Sequence, residues 1–315
     1  MNDSVFVLAM LNAIVVGTPI LYAGIGEILT QRSGVMNLGI EGMMLVGAVS
    51  GFWATTVTDS LLVAVIVAAL GGAGMALLHA FLAITLRVDQ IVSGLALVTL
   101  GTGISAFIGD ATDPVLTCCT GKLRFEPILS GGITDLPVIG PLLFSHDPMI
   151  YVSWILAGLA SYYIFRTPMG LSLRAVGENP GTADAVGISV SRYRYLHTLA
   201  GGALAGIGGA YLSIAVLGAW QKGISAGVGW IAFALVIFSG WRPWRALFAA
   251  YIFGLLTGLN FTFQIIGINI AGDFLAMIPF VMAILALIVV SARPESARNL
   301  GAPAALAEAY SREQR

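Results

Sequence analysis

Charged residues are scarce in this sequence. It has 15 basic and 16 acidic residues in 315, so that 10% of the chain is charged, where a soluble domain carries about 25%. The rest is strongly apolar: hydrophobic residues make up 58% of the chain, there are 39 glycines, and the mean hydropathy is +0.92. This composition leaves too much apolar surface for a soluble enzyme and indicates a protein that crosses a membrane several times.

Signals for binding and catalysis in water are missing as well. A net charge of −1 gives no basic excess for binding nucleic acid. The only cysteines, Cys118 and Cys119, are adjacent, and such a pair predicts neither an unstrained disulfide nor a metal site. The only Gly-Lys pair, Gly121-Lys122, lacks the upstream glycine of a phosphate-binding loop, since Leu116 stands there. We therefore predict no catalytic residue, no metal and no ATP site in this chain.

The few charges separate long apolar runs. A bilayer core about 30 Å thick requires about 20 helical residues, and nine stretches without Asp, Glu, Lys or Arg have at least 17 residues. They are Ser4–Gly26, Gly42–Thr58, Ser60–Leu86, Gln90–Gly109, Pro148–Phe165, Tyr195–Gln221, Gly223–Trp241, Ala246–Gly272 and Phe274–Ala292. Because backbone polar groups in lipid must be bonded internally, these runs predict helices. We expect an all-α integral membrane protein, a polytopic bundle of about nine (8–10) transmembrane helices in one domain over residues 1–315.

The basic residues predict how the bundle lies in the membrane. If the N-terminus is outside and successive loops alternate, twelve of the 15 basic residues fall inside, and only Lys122, Arg124 and Lys222 fall outside. The C-terminal tail, residues 293–315, is then inside. A half-helix counted as a full span would invert part of this assignment. The run Gly223–Trp241, which begins Gly-Ile-Ser-Ala-Gly-Val-Gly, is the best candidate for such a half-helix.

Two long loops interrupt the spans. The outer loop 110–147 carries five acidic residues and either folds over the mouth of the bundle or is a solvated connector. In the inner loop 166–194, Asn179 is a candidate N-cap, Pro180 suits a first helical turn, and Gly187 suits the residue after a helix end. We predict a short helix at about 180–187, with an ordinary interhelical loop as the alternative.

Few polar residues lie within the apolar runs. Glu41 lies about one turn, roughly 6 Å, inside the helix start at Asn37, which predicts a position away from the membrane midplane. It is either a structural carboxylate, paired with a neighbouring loop or Arg32, or part of an inner gate or translocation path. Asn260 and Gln264 are four residues apart and share a helix face, where their amides either bind a substrate or join helices.

Three segments resemble a known family. They are SGVMNLGIEGMMLVGAVSG at Ser33–Gly51, RVDQIVSGLAL at Arg87–Leu97 and LRAVGENPGTADAVGISVSRYRY at Leu173–Tyr195, and the similarity extends through Leu199–Ser213 to the last spans. The sequence is similar to permease subunits of bacterial ATP-binding-cassette (ABC) importers of the nucleoside and simple-sugar group. These are related more distantly to branched-chain amino acid permeases. The resemblance implies a type II-like ABC importer permease.

The resemblance also implies a mechanism and partners. Such permeases form membrane dimers that alternate between outward-open and inward-open states, and a cytoplasmic ATPase subunit, which binds ATP and Mg²⁺, grips a short permease helix. The expected partners are this ATPase, a longer paralogous permease, an extracytoplasmic substrate-binding protein and the lipid of the bacterial cytoplasmic (inner) membrane. The residues that match the coupling element are Arg174, Gly177, Glu178, Asn179, Pro180, Asp184 and Gly187.

The resemblance favours nucleosides as the substrate, with simple sugars as the alternative. Residues expected along the substrate path are Asn37, Glu41, Asn260 and Gln264. An ion-coupled secondary transporter would need ionisable residues at mid-span and often has inverted repeats with broken helices. This sequence has almost no such residue, and no internal repeat is evident in it. An intramembrane enzyme would need a catalytic constellation at depth, and none is visible.

Overall fold

The computed structural model describes residues 2–112, 123–129, 131, 134, 138–265, 271–291 and 301–311. The side chains of several helical residues, Asn260 and Gln264 among them, lie outside this description, as do Cys118 and Cys119. In the described chain, twelve α-helices and no strands occur. The helices are α1 (Asn2–Arg32), α2 (Ile40–Thr58), α3 (Leu61–Ala80), α4 (Gln90–Thr112), α5 (Ile139–Phe144), α6 (Pro148–Arg166), α7 (Pro168–Glu178), α8 (Pro180–Ala185), α9 (Val190–Tyr211), α10 (Val228–Ser239), α11 (Pro243–Ile265) and α12 (Gly272–Ser291). Two of them end in π-helical turns, α3 in Phe81–Thr85 and α9 in Leu212–Val216.

The helices confirm the predicted all-α membrane bundle. Each of the nine charge-free runs coincides with a helix. Six helices, α1, α2, α3, α4, α6 and α9, are long and apolar enough to cross a membrane, and shorter apolar stretches lie in α10, α11 and α12. Helix α10 has 12 residues, about 18 Å at 1.5 Å per residue, and so covers only part of a bilayer core. The seventh run is therefore a half-helix, as expected.

Glycines set the spacing of the central helices. Helix α9 lies between α1 and α3 and also contacts α2. A Cβ added to Gly72 would lie 2.1 Å from the carbonyl oxygen of Gly202, and one added to Gly47 would lie 2.3 Å from that of Gly206. There is no room for a side chain at these crossings. Close backbone contact thus takes the place of interlocking side chains, as is common between helices in lipid.

One end of the bundle is basic. The guanidinium groups of Arg32, Arg174 and Arg242 surround the ring of Phe165, at 5.6, 5.6 and 5.9 Å from its centroid. These residues come from four different parts of the chain. Helices α7 and α8 and residues 301–311 lie at the same end, which we call the basic face.

Helix α6 runs from Asp147 to the basic face, so Asp147 marks the opposite end. There the carboxylate of Asp147 accepts a hydrogen bond from the hydroxyl of Tyr211 at 2.6 Å, and Lys222 pairs with Asp110 at 2.8 Å. Phe125 stacks on Tyr211 with 6.2 Å between ring centroids. The described part of the 110–147 loop therefore packs onto the bundle. We call this end the Asp147 face.

Candidate functional site

Helix α2 begins inside the bundle and not at its basic face. After α1, residues 33–39 turn back between the helices, and we call them the re-entrant loop; the backbone nitrogen of Asn37 donates to Glu27 Oε1 at 3.2 Å. Beyond it, a Cβ added to Gly101 would lie 2.5 Å from the Cα of Gly42. Gly101 is the middle residue of α4, so Glu41 lies at mid-depth. The prediction that Glu41 lies away from the midplane is wrong, because the start of α2 is itself buried inside the bundle.

Polar side chains hold the re-entrant loop in place. The backbone nitrogen of Met36 donates to Gln90 Oε1 at 2.7 Å, and the Met36 carbonyl lies 3.0 Å from His79 Nε2. The other ring nitrogen of His79 lies 3.1 Å from Ser93 Oγ. Since a carbonyl only accepts, Nε2 carries the proton and Nδ1 accepts from the Ser93 hydroxyl. His79 is therefore a structural residue that ties the loop to α3 and α4.

Glu41 connects the start of α2 with the start of α10. Its Oε1 accepts hydrogen bonds from Ser225 Oγ at 2.6 Å and from the backbone nitrogen of Gly227 at 2.9 Å, and its Oε2 accepts one from the backbone nitrogen of Gly229 at 2.6 Å. Gly227 is the N-cap residue of α10 and has no side chain with which to cap it. The buried Glu41 carboxylate takes that role from another helix.

These contacts distinguish between the two predicted structural partners of Glu41, a neighbouring loop and Arg32. The predicted pairing with Arg32 is wrong, because the Arg32 guanidinium donates to the carbonyls of Trp241 and Gly301. Asn37 is also bonded internally, since its Oδ1 accepts from the backbone nitrogen of Gly39 at 3.1 Å. In this conformation, neither Asn37 nor Glu41 faces open space. The side chains of Asn260 and Gln264 lie outside the described part of α11.

Helices α2 and α10 both start at mid-depth and run in opposite directions, although only α10 is a half-helix. Helix α1 ends at the basic face, and α2 then starts at mid-depth and runs toward the Asp147 face. Helix α9 runs the other way, and α10 starts at mid-depth and ends at the basic face, where Trp241 Nε1 donates to Gln31 Oε1 at 2.7 Å. The segments Asn37-Leu38-Gly39-Ile40 and Ser225-Ala226-Gly227-Val228 lie at the starts of these two helices. Both have a polar residue two positions before a glycine, a pattern too common in sequences to predict the pair.

Helix α8 lies on the basic face and begins where the sequence predicts. Asn179 is its N-cap, and Asn179 Oδ1 accepts a hydrogen bond from the backbone nitrogen of Thr182 at 2.9 Å. Pro180 is the first helical residue, where its missing N–H has no partner to lose.

The other end of α8 is closed by a glycine. Gly187 has φ +86°, its nitrogen donates to the Asp184 carbonyl, and the nitrogen of Ile188 donates to the Ala183 carbonyl, both at 3.0 Å. These two bonds form a Schellman motif. The predicted short helix is confirmed, and α8 is a short rod fixed at both ends.

The surfaces of α8 differ. Val186, just past its end, is 72% exposed, whereas Ala183 is 2% exposed and packs with Val176 and Val190. Ala183 therefore faces the protein itself. The outward surface is formed by the end of the helix, around Ala185, Val186 and Gly187.

Two residues of the predicted coupling set lie beneath α8. Arg174 stands over the Phe165 ring, and Gly177 is buried, with room for no Cβ because one would lie 2.3 Å from the Arg32 carbonyl oxygen. They connect α7 with the end of α1. Glu178 is exposed at the start of α8, and its Oε2 accepts from the nitrogen of Ala304 at 3.3 Å.

Comparison with known families bears on these features. A family model described as the permease component of branched-chain amino acid transport systems matches residues 9–291. The chain belongs to this permease family. The match runs through nearly the whole helical bundle, from α1 to α12. Members of the family are transport components and not enzymes.

The relatives extend over the full chain. The sequence is 38% identical to the putative glucose ABC transporter permease protein TsgC13 of Haloferax volcanii, over 98% of this chain and 99% of that protein. It is 34% identical to the nucleoside ABC transporter permease protein NupC of Lactococcus lactis (88% and 90%) and 30% identical to the guanosine ABC transporter permease protein NupQ of Bacillus subtilis (92% and 94%). No solved structure matches the chain significantly.

A second kind of permease also matches. NupB of Lactococcus lactis, named as a nucleoside ABC transporter permease like NupC, is 24% identical over 76% of this chain and 68% of its own length. The transport systems to which these relatives are assigned by name therefore contain two paralogous permeases. The permease described here is accordingly the transmembrane, non-catalytic subunit of an ABC transport system.

Proposed function

We propose that this permease imports nucleosides across the cytoplasmic membrane by alternating access, driven by a separate ATPase subunit. The names of NupC and NupQ, which match over about nine-tenths of the chain, support nucleosides. The relative named as a glucose permease, at 38% identity, favours simple sugars as the second candidate. An extracytoplasmic binding protein delivers the solute, and a longer paralogous permease completes the membrane dimer.

The geometry of helix α8 is the observation that supports coupling to ATP hydrolysis. It is capped at both ends and exposed around Val186, as a lever that receives a push from a partner must be. We assign the basic face to the cytoplasm by the positive-inside rule. The ATPase then binds ATP and Mg²⁺ and grips α8, and the 110–147 loop and the N-terminus lie outside.

The junction at Glu41 is suited to a gate. Helix α10 reaches from mid-depth to the basic face, so its movement opens or closes only the inner half of a path. Broken helices that meet near the membrane midplane form the substrate and ion sites of many transporters, and the two halves of the protein move around these sites. The path itself includes Asn37, Glu41, Asn260 and Gln264 in this proposal.

A charge reversal on α8 tests the ATPase contact. The variant Asp184→Arg is co-expressed with the cognate ATPase, and both co-purification and ATP-dependent uptake into proteoliposomes are measured. We expect at least about a tenfold loss of both, since misplaced charge in an interface costs several kcal/mol. Glu126→Arg, the same charge reversal at an exposed position in the 110–147 loop, is the control; Asp184 itself is half-buried. Normal ATPase binding and uptake in Asp184→Arg would remove the assignment of α8.

A competition experiment separates the substrates. Uptake of labelled guanosine is measured in the reconstituted system against an excess of unlabelled nucleosides or glucose. We expect inhibition by nucleosides alone. ATP-dependent uptake of labelled glucose with no uptake of guanosine would favour the sugar candidate, and uptake that follows an ion gradient without the ATPase would contradict an ABC importer.

A further inference from the structure

Residues 301–311 lie across the basic face and are bonded to it through their backbone. The nitrogen of Ala305 donates to the Gly177 carbonyl at 2.9 Å, and the nitrogen of Ala307 donates to the Gly34 carbonyl at 3.2 Å. Gly177 lies just before α8, and Gly34 belongs to the re-entrant loop. Residues 301–311, which we call the strap, therefore join these two elements directly.

Two buried arginines anchor the strap at its ends. Arg32, at the end of α1, donates from NH1 to the Gly301 carbonyl at 3.1 Å. Arg194, in the first turns of α9 and 1% exposed, donates from NH1 to the Glu308 carbonyl at 2.9 Å. Because both bonds go to backbone carbonyls, they depend on the path of the strap and not on its side chains.

The strap lies beside and beneath α8 without covering it. Tyr310 packs on the apolar cluster of Val176, Ala183 and Val190 on the inner side of the helix. The outer end of α8 stays open, with Val186 72% exposed. The strap therefore leaves the surface for the ATPase accessible, and its contacts are those of a link and not of an inhibitory lid.

These contacts define a continuous connection. It runs from α8 through the strap to Gly34, and from there along the re-entrant loop to Glu41 and the start of α10. We propose that the strap makes α8, the end of α1 and the re-entrant loop one rigid unit, which carries the movement of the ATPase to the mid-depth junction. This inference rests on the proposed coupling role of α8.

Proline substitutions test the strap. Ala307→Pro removes the N–H that bonds Gly34 and also forbids the local backbone, because Ala307 has φ +67° and proline requires about −65°. Ala309→Pro is the matched control, since the nitrogen of Ala309 donates no backbone hydrogen bond within the described chain. Ala307→Gly should be tolerated, because glycine adopts positive φ freely.

The measurement is solute transported per ATP hydrolysed in proteoliposomes, together with ATPase co-purification. We expect Ala307→Pro to keep the ATPase and to lower transport per ATP by about fivefold, the effect of one lost hydrogen bond on an equilibrium. Ala309→Pro and Ala307→Gly should equal the wild type. Full coupling in Ala307→Pro, while Asp184→Arg still loses the ATPase, overturns the strap but leaves the coupling helix intact. If folded Ala307→Pro no longer co-purifies with the ATPase, the proposal is also overturned, because the strap would then be needed for ATPase binding and not for transmitting its movement.

A crosslink provides a second test that leaves the backbone hydrogen bonds of the strap to Gly177 and Gly34 in place. Glu178→Cys and Ala304→Cys, whose parent residues are hydrogen-bonded at 3.3 Å, are combined with Cys118→Ser and Cys119→Ser and joined by a short bis-maleimide, which forms a thioether with each thiol. A rigid link predicts that transport per ATP is the same before and after crosslinking. If crosslinking stops transport while the ATPase stays bound, the strap must detach during the cycle and the proposal is overturned.

Discussion

Replacing Glu41 by glutamine isolates the role of the carboxylate at the start of α10. Both carboxylate oxygens accept backbone N–H groups, those of Gly227 and Gly229. Glutamine has nearly the same shape but only one acceptor oxygen. Its amide group would face one of these donors, so one N–H at the start of α10 loses its partner.

The cost follows from two effects. A buried N–H without a partner costs about 1–3 kcal/mol, and loss of a negative charge at a helix N-terminus costs about 0.3–1 kcal/mol, or up to about 2 when partly buried. Together we expect about 2–4 kcal/mol. For a chain of this size that corresponds to a fall of roughly 3–6 °C in the apparent melting temperature.

The assay is thermal unfolding of the purified protein in detergent, with ATP-dependent uptake measured in parallel. Glu126→Gln, an exposed glutamate in the 110–147 loop, is the control and should melt with the wild type. Normal assembly with lost uptake in Glu41→Gln indicates a gate, whereas lost assembly indicates a structural carboxylate. A melting temperature equal to that of the wild type would refute the capping argument itself.

Three further substitutions have expected outcomes. Gly177→Ala places a Cβ 2.3 Å from the Arg32 carbonyl oxygen, and overpacking of this kind should destabilise the protein by about 1–3 kcal/mol, measured by its melting temperature. Asn179→Ala removes the cap of α8, at about 1 kcal/mol; faster amide hydrogen exchange in residues 180–186 and weaker ATPase retention are expected. Lys222→Ala breaks an exposed ion pair and should change stability by less than about 1 kcal/mol, so a large drop in melting temperature would contradict the assignment of this pair to the surface.

The positions of the helices along the chain were predictable from the sequence, because lipid restricts what an apolar run can form. Nine charge-free runs gave the helices because an uncharged run of this length has no other stable form in a membrane. The depth of Glu41 within the bundle was not predictable. The count treated Glu41 as the boundary of a run and hence as a residue near water. Its carboxylate is instead satisfied by N–H groups of Gly227 and Gly229, far along the chain, which only the folded bundle brings to it.

The candidate site was likewise predictable only where its structure depends on neighbouring residues. Helix α8 was predicted because Asn179, Pro180 and Gly187, which fix its ends, lie within nine residues of one another and act locally. The contacts around it were not. The strap meets Gly177 and Gly34 through backbone atoms, and backbone hydrogen bonds between distant segments leave no pattern in side-chain types.

The charge balance where α2 and α10 begin bears on what the permease carries. Helices α2 and α10 both have their N-termini at mid-depth, and each N-terminus carries about half a positive elementary charge. Glu41 lies in the first turn of α2 and caps α10, so one carboxylate offsets both helix ends. With the carboxylate in place, these two helix ends offer little net charge to attract an anion or a cation. That balance suits a neutral solute, as nucleosides and simple sugars are, and leaves recognition to hydrogen bonds and shape.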